Sequence, residues 1–323
     1  MKGYTLTEKA KKNLNILKLF FISLVFVCVA LAVAIIVCNY IGNRNFKETF
    51  YSVSSLKVDN KIRIIQISDL HNSIYGKDNK KLVSRVEKLK PDLILYTGDI
   101  IDSNSKSNDK VLNLCKELTA YAPSYYIYGN NEVEKYYDVA LNQDALDEKF
   151  GFTNENRDPS KLLNITDELT QKLEASGVKV LKNKSDSIMI GTTMIDVYGV
   201  LTSNPSAFWS YAGKTFSDYI YTNENNLKIT AIHEPTVFEE HTSDTWGDLV
   251  LAGHNHGGTI RIPILGAFYT HDGGLLPDLR GHYVSGRYEV QGRPLIISSG
   301  IENKNIFRIN NKPELVIVDI NKF

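Results

Sequence analysis

Apolar and polar positions change rhythm twice along this chain. From Leu19 to Cys38 there is no charge, and Ser23 is the only clearly polar side chain. About twenty such residues suffice to cross a bilayer core as a helix. The run has no polar face, which argues against a core helix of a globular body. Small residues at Ala30, Ala32 and Ala34 raise a cleaved signal peptide as the competing reading, but the run continues past them and is long for that purpose. From Ile62 a second rhythm begins, in which short β-branched runs alternate with helical spacing. Ile62–Ile67 reads as a strand, Asn79–Leu89 as a helix through Leu82, Val83, Val86 and Leu89, and Leu93–Tyr96 as a strand. Asp109–Leu118 is helical again, and Tyr125–Tyr128 is the next strand. This βαβαβ order predicts parallel strands with crossover helices.

The third rhythm is strand-rich. After a helix over Asn164–Ser176, stopped by Gly177, short strands are expected at Val178–Leu181, Ile188–Ile190, Met194–Tyr198, Leu227–Ile232, Leu249–Leu251, Tyr288–Val290, Leu295–Ser298 and Leu315–Ile320. So many strands after a parallel α/β half predict a second sheet packed on the first. The expected fold class is α/β: a two-sheet sandwich flanked by helices, preceded by one transmembrane helix. Residues 1–18 read as a basic segment, 19–41 as the anchor, 42–60 as a linker and 61–323 as one globular domain. Residues 136–163 and 201–226 are long connections. The second carries Phe208, Trp209, Tyr211, Phe216, Tyr219 and Tyr221, and is expected to lie on lipid, to cover a pocket, or only to decorate the surface.

Charge refines this picture. Lys2, Lys9, Lys11, Lys12 and Lys18 precede the apolar run and are opposed only by Glu8. The basic flank should stay in the cytoplasm, which leaves the body outside a bacterial cytoplasmic membrane held through Leu19–Ile41. Overall, 37 Lys and Arg balance 37 Asp and Glu. Nothing in that balance favours a nucleic-acid polymer as partner, so any anion site must be local. Three cysteines, two of them in the apolar run, form neither a disulfide framework nor a zinc motif.

Candidate chemistry gathers at the ends of the expected strands. Asp69-Leu70-His71 follows the first, Gly98-Asp99-Ile100-Ile101-Asp102 the second and Gly129-Asn130-Asn131-Glu132 the third. His233-Glu234-Pro235 follows strand 227–232, and Gly253-His254-Asn255-His256-Gly257-Gly258 follows strand 249–251. In open α/β sheets, ligands bind beyond the carboxyl ends of the strands. Each signal alone is a turn or a cap as readily as a site, but five in that position form a constellation. Its imidazoles, carboxylates and amide oxygen suit Mn, Fe or Zn.

This ordered set resembles the calcineurin-like metallophosphoesterases, over about Ile62 to Ile320. The continuation Gly257-Gly258-x-x-Arg261-x-Pro263 and the N-terminal anchor resemble the membrane-associated bacterial branch of that family. The resemblance implies a double β-sandwich and two divalent metals, with Mn favoured. It implies that Asp69, His71, Asp99 and His256 hold one metal and that Asp99, Asn130, His233 and His254 hold the other, with Asp99 shared. The implied reaction is hydrolysis of a phosphoester, more readily a diester, on a lipid, cell-envelope or nucleotide substrate. Asp102 and Glu132 are expected behind the ligands, or merely as helix caps. Arg261 and His271 are expected as candidate substrate contacts. One position departs from the family: where a proton-donating histidine usually follows the ligand asparagine, this chain has Asn131. An amide cannot deliver a proton at neutral pH. Either His271 or His241 substitutes, or the leaving group needs no acid, or the domain is a metal-containing binding or sensory module.

Overall fold

The computed structural model describes residues 8–137, 167–201, 213, 215–240, 246–304 and 308–323. Helix α1 (Glu8–Asn43) contains the apolar run. It is long and apolar enough to cross a membrane, and among the described residues none of its apolar window is buried. Its last turn touches the body, where Asn43 Nδ2 donates to the Arg308 carbonyl at 3.1 Å.

Strand β1 (Lys47–Ser55), β2 (Ile62–Ile67), helix α2 (Lys80–Leu89), β3 (Leu93–Thr97), α3 (Asp109–Leu118), β4 (Ser124–Ile127) and α4 (Asn130–Tyr137) follow. Then come α5 (Glu168–Ala175), β5 (Val178–Leu181), β6 (Lys184–Ile190), β7 (Thr193–Val200), β8 (Leu227–Ile232), α6 (Thr236–Glu240) and β9 (Leu249–Ala252). An excursion contains the two-residue strands β10 (Arg261–Ile262), β11 (Gly266–Ala267), β12 (Tyr269–Thr270) and β13 (Gly274–Leu275). The chain closes with β14 (Gly286–Val290), β15 (Arg293–Ile297) and β16 (Glu314–Lys322).

Two six-stranded sheets result, ordered β1-β16-β2-β3-β4-β5 and β14-β15-β9-β8-β7-β6. In the first, β2, β3, β4 and β5 are parallel; in the second, β15, β9, β8 and β7 are. Alternation on each strand builds the sandwich. Ile62, Ile64, Leu93, Leu95, Val316 and Val318 of one sheet meet Ile195, Val197, Ile229, Leu249, Leu251 and Ile296 of the other. The opposite face of the first sheet, with Ile65, Ile67, Ile94 and Tyr126, is covered by Leu82 and Val86 of α2 and by Leu114 and Leu118 of α3. This is the double sandwich flanked by helices expected from the strand pattern.

Three expectations change. Residues 47–55, read as linker, form β1, which pairs in parallel with β16 from Lys47↔Glu314 to Ser55↔Lys322. Its side chains are only partly buried, because it is an edge strand, so its alternation is faint and its partner is supplied by the other end of the chain. Helix α4, unforeseen, starts at Asn130. Of the aromatic connection, Phe208, Trp209 and Tyr211 lie outside the described residues, as does most of 136–163. Phe216 and Tyr219 neither face lipid nor cover a pocket: they are buried against Tyr198 and Trp246. The helix expected from Asn164 is described from Glu168, capped by the Asp167 side chain, which accepts from Thr170 N.

Candidate metal centre

The ends of β2, β3 and β4 are neighbours in one sheet and those of β8 and β9 in the other, and the packing of the two sheets brings the five signals together. Local backbone then aims them. Asp69, His71, Asp99, His254 and His256 all have φ between 44° and 73°. Left-handed backbone is uncommon outside glycine and persists where surrounding structure enforces it. Neighbouring glycines allow the loops to approach. A Cβ on Gly129 would lie 2.3 Å from Asp99 Oδ1, and one on Gly253 would lie 2.0 Å from Ser68 Oγ.

Asp69, His71 and His256 offer ligand atoms within 4.8 Å of one another, and so do Asp69, Asp99 and His233. His71 Nε2 and His256 Nε2 face each other at 3.1 Å, and His256 Nε2 is 3.6 Å from Asp69 Oδ1. On the other side, His233 Nε2 is 3.1 Å from Asn130 Oδ1 and 3.3 Å from His254 Nδ1. Between the two groups lies Asp99, whose Oδ2 is 3.7 Å from His71 Nε2 and 3.4 Å from His233 Nε2. Such facing ring nitrogens and buried carboxylates fit divalent cations.

Three of the four histidines have a partner at the far nitrogen. His233 Nδ1 is 2.8 Å from the Thr97 carbonyl, so it carries the proton and leaves Nε2 free to ligate. His254 Nε2 is 3.1 Å from Asp272 Oδ2, and His256 Nδ1 is 3.7 Å from Glu302 Oε2. Carboxylates behind imidazoles fix ring orientation and strengthen a metal ligand. Burial, countered only in part by Asp69, pushes the His256 imidazole down to about 3, so it stays neutral with a lone pair available. The hydrogen bond from His254 holds the Asp272 carboxyl down at about 2. Burial alone would raise Asp99, but His233, His71 and the Asn131 N–H outweigh it and hold the carboxyl below its usual range.

Behind these groups, Glu132 is fully buried. Its two oxygens accept from the backbone N–H groups of Gly129, Asp99, Ile100 and Ile101 at 2.8–3.1 Å, and from Tyr126 Oη at 2.6 Å. Burial and the neighbouring Asp99 charge push its carboxyl up. Asp102 is placed differently: its carboxylate accepts from Asn104 N at 3.0 Å, tying its own turn at the rim of the site. Asn131 grips Asp99, donating from its backbone N to Oδ1 at 2.9 Å and from Nδ2 to Oδ2 at 2.6 Å. Its own Oδ1 accepts from Ser103 N at 3.0 Å.

A cavity of about 400 Å³ opens over the cluster, lined among others by His71, His254, His256, Tyr269, His271 and Glu302. His271 is on its rim with a side chain 94% exposed, 3.0 Å from Asp272 Oδ1. Arg261 does not line it. Its Nη1 donates to the Gly257 carbonyl at 2.7 Å and to Ser285 Oγ at 2.9 Å, bracing the turn after His256. His241 lies outside the described residues. Asp272 and Glu302 were not singled out by sequence. Glu302 had a signal, since Ser299-Gly300-Ile301-Glu302 follows β15 as the other motifs follow their strands. Asp272 stands beside His271, the residue that drew attention instead.

A family model of the calcineurin-like phosphoesterases matches residues 62–258, from β2 through the His254–Gly258 turn. The chain belongs to the calcineurin-like phosphoesterase family. It is 28% identical over 260 residues to the metallophosphoesterase YkuE of Bacillus subtilis (strain 168), covering 79% of this chain and 77% of that one. It is 23% identical to phosphodiesterase YaeI of Escherichia coli (strain K12), over 80% of this chain and 82% of that one. Against the UDP-2,3-diacylglucosamine pyrophosphatase LpxG of Chlamydia trachomatis, identity is 25%, over 62% of this chain and 65% of that one. Among solved structures, the 5'-nucleotidase precursor of Thermus thermophilus aligns with 11% identity and a TM-score of 0.44, over 81% of this chain and 54% of that one. As a calcineurin-like phosphoesterase, the chain is a phosphoester hydrolase of a family that uses divalent metals.

Proposed function

We propose that this phosphoesterase is a two-metal phosphodiesterase held in the cytoplasmic membrane by α1, with its body outside. The observation that carries the metal assignment is the position of Asp99. One of its oxygens faces His71 Nε2 at 3.7 Å and His233 Nε2 at 3.4 Å, as a carboxylate shared by two cations must. Asp69, His71, Asp99 and His256 would hold one metal; Asp99, Asn130, His233 and His254 would hold the other, with Mn favoured. When bound, two such cations supply Lewis acidity and nucleophile activation for in-line displacement at phosphorus. The chain's own residues supply geometry: Asn131 holds Asp99, Asp272 holds the His254 imidazole, Glu302 stands behind that of His256, and Glu132 holds two of the loops. The basic flank before α1 supports the outward placement. The activities of the relatives YaeI, a phosphodiesterase, and LpxG, a UDP-2,3-diacylglucosamine pyrophosphatase, support lipid or envelope phosphoesters with two substituents on phosphorus as the substrate class.

Asn131 shapes the expected specificity. Without an acid at that position, turnover should depend steeply on the leaving group. General acid catalysis contributes about 10²- to 10⁴-fold, so an aryl phosphodiester should outpace an alkyl one by more than that factor's lower end. Purified full-length chain in detergent with Mn tests both points. Hydrolysis of an aryl diester in preference to an aryl monoester is expected. No turnover with Mn, Fe or Zn would overturn the reading, and equal rates on aryl and alkyl diesters would show that another residue supplies the proton. A second measurement concerns Asp272. Supports of this kind are typically worth about 10- to 100-fold in metal affinity or activity. Asp272→Asn should weaken Mn binding by that factor in a calorimetric titration, and an unchanged affinity would remove Asp272 from the site.

A further inference from the structure

The excursion from Arg261 to Arg280 has an unusual surface for a soluble segment. Ile264 is completely exposed, and Leu265, Phe268, Leu275 and Leu279 are 39–60% exposed. Ile264 also has φ 74°, a left-handed conformation in which a β-branched residue is a genuine outlier. A turn facing only water would be easier with glycine or asparagine there. Contiguous exposed apolar groups of this kind mark an interaction surface.

Its place in the fold says what covers it. Asn310 donates from its backbone N to Asn39 Oδ1 of α1 at 3.3 Å, and from Nδ2 to the Arg261 carbonyl at 3.2 Å. Ile264, Leu265, Leu279 and Asn310 line one depression. Asn39 lies near the C-terminal end of the uncharged stretch, which closes at Asn43 before Arg44, so Asn310 ties the start of the β10–β11 hairpin to that end of α1. Leu56 follows the nine-residue strand β1, is 82% exposed, and lines neither this depression nor the cavity over the metal centre. The same excursion reaches the metal centre, because Tyr269, Thr270 and His271 line the cavity over His254 and His256.

We propose that the 261–280 excursion is a membrane-docking surface. It seats Ile264, Leu265 and Leu279 in the bilayer beside α1 and opens the metal centre at the lipid surface, where phosphoesters carried by membrane amphiphiles are within reach. The proposal rests on the membrane placement and hydrolytic reading given above. A helix already in the bilayer holds the patch at its surface, so weakly apolar contacts suffice to dock it.

Full-length chain in lipid nanodiscs of phosphatidylethanolamine and phosphatidylglycerol provides the test. Ile264→Cys and Leu56→Cys would be treated with a membrane-impermeant maleimide, and labelling of each peptide followed by mass spectrometry. Position 264 is expected to react at least about tenfold more slowly than position 56; equal rates would overturn the docking. In the Ile264→Ser/Leu279→Ser variant, turnover of a nanodisc-borne lipid phosphodiester is expected to fall about tenfold while a soluble aryl diester is unaffected. Equal loss on both, or on neither, would also overturn it. Labelling needs no turnover, so a chain protected at 264 but inactive on both esters would sink the hydrolytic reading and leave the docking standing.

Discussion

Replacing Asp99 with Asn is expected to lower turnover of an aryl phosphodiester by about 10³-fold or more while leaving the protein folded. The amide has nearly the shape of the carboxylate and can still accept the Asn131 N–H that now reaches Oδ1 at 2.9 Å. What it loses is the charge on the carboxylate whose Oδ2 faces both His71 and His233. An amide oxygen also cannot bridge while its nitrogen presents donors to the second cation. The measurement is kcat/KM with Mn, alongside metal content per chain and thermal melting. A folded variant that keeps two metals and turns over within tenfold of the parent would show that Asp99 does not join them.

Much of this was legible in the sequence because the inner strands are buried on both faces. Strands such as β3, Leu93–Thr97, read as unbroken apolar runs, and their ends could be located within a residue or two. Once strand ends are known, parallel pairing groups Asp69, Asp99 and Asn130 at one sheet's end and His233, His254 and His256 at the other's, and packing the two sheets joins the groups. What stayed hidden was whatever depends on a distant partner. Strand β1 is defined by β16, at the far terminus. Arg261 is a good phosphate ligand by residue type, yet only the fold shows its guanidinium bound to the Gly257 carbonyl. Asn131 reads from sequence as the absence of an acid. In the fold it is a clamp on Asp99, a positive role that no local pattern announces. Glu302 and Asp272 act through ring nitrogens whose direction depends on left-handed turns at His254 and His256.

The largest effect on stability is expected at Glu132. Removing its side chain with Glu132→Ala would strand four backbone N–H groups and the Tyr126 hydroxyl in a fully buried site. An orphaned buried donor costs about 1–3 kcal/mol. Even with water entering the gap, a loss of about 4 kcal/mol is expected, and a melting midpoint lowered by about 8–16 °C for a domain of this size. Glu132→Gln tests the charge separately from the shape. One carboxylate oxygen accepts from Gly129 and Asp99 N–H, and the other from Ile100, Ile101 and Tyr126. Whichever way the amide turns, its NH₂ meets at least two donors, so Gln should recover less than half the loss. A Gln variant as stable as the parent would mean that Glu132 is protonated and donating in the fold. Because the same carboxylate holds the Asp99 loop and the start of α4 at Asn130, metal binding should fall together with stability in both Glu132 variants. In Asp99→Asn the two should separate, with activity lost and the melt lowered less than in Glu132→Ala, because there the scaffold survives and only the shared charge and the bond from Asn131 Nδ2 are gone.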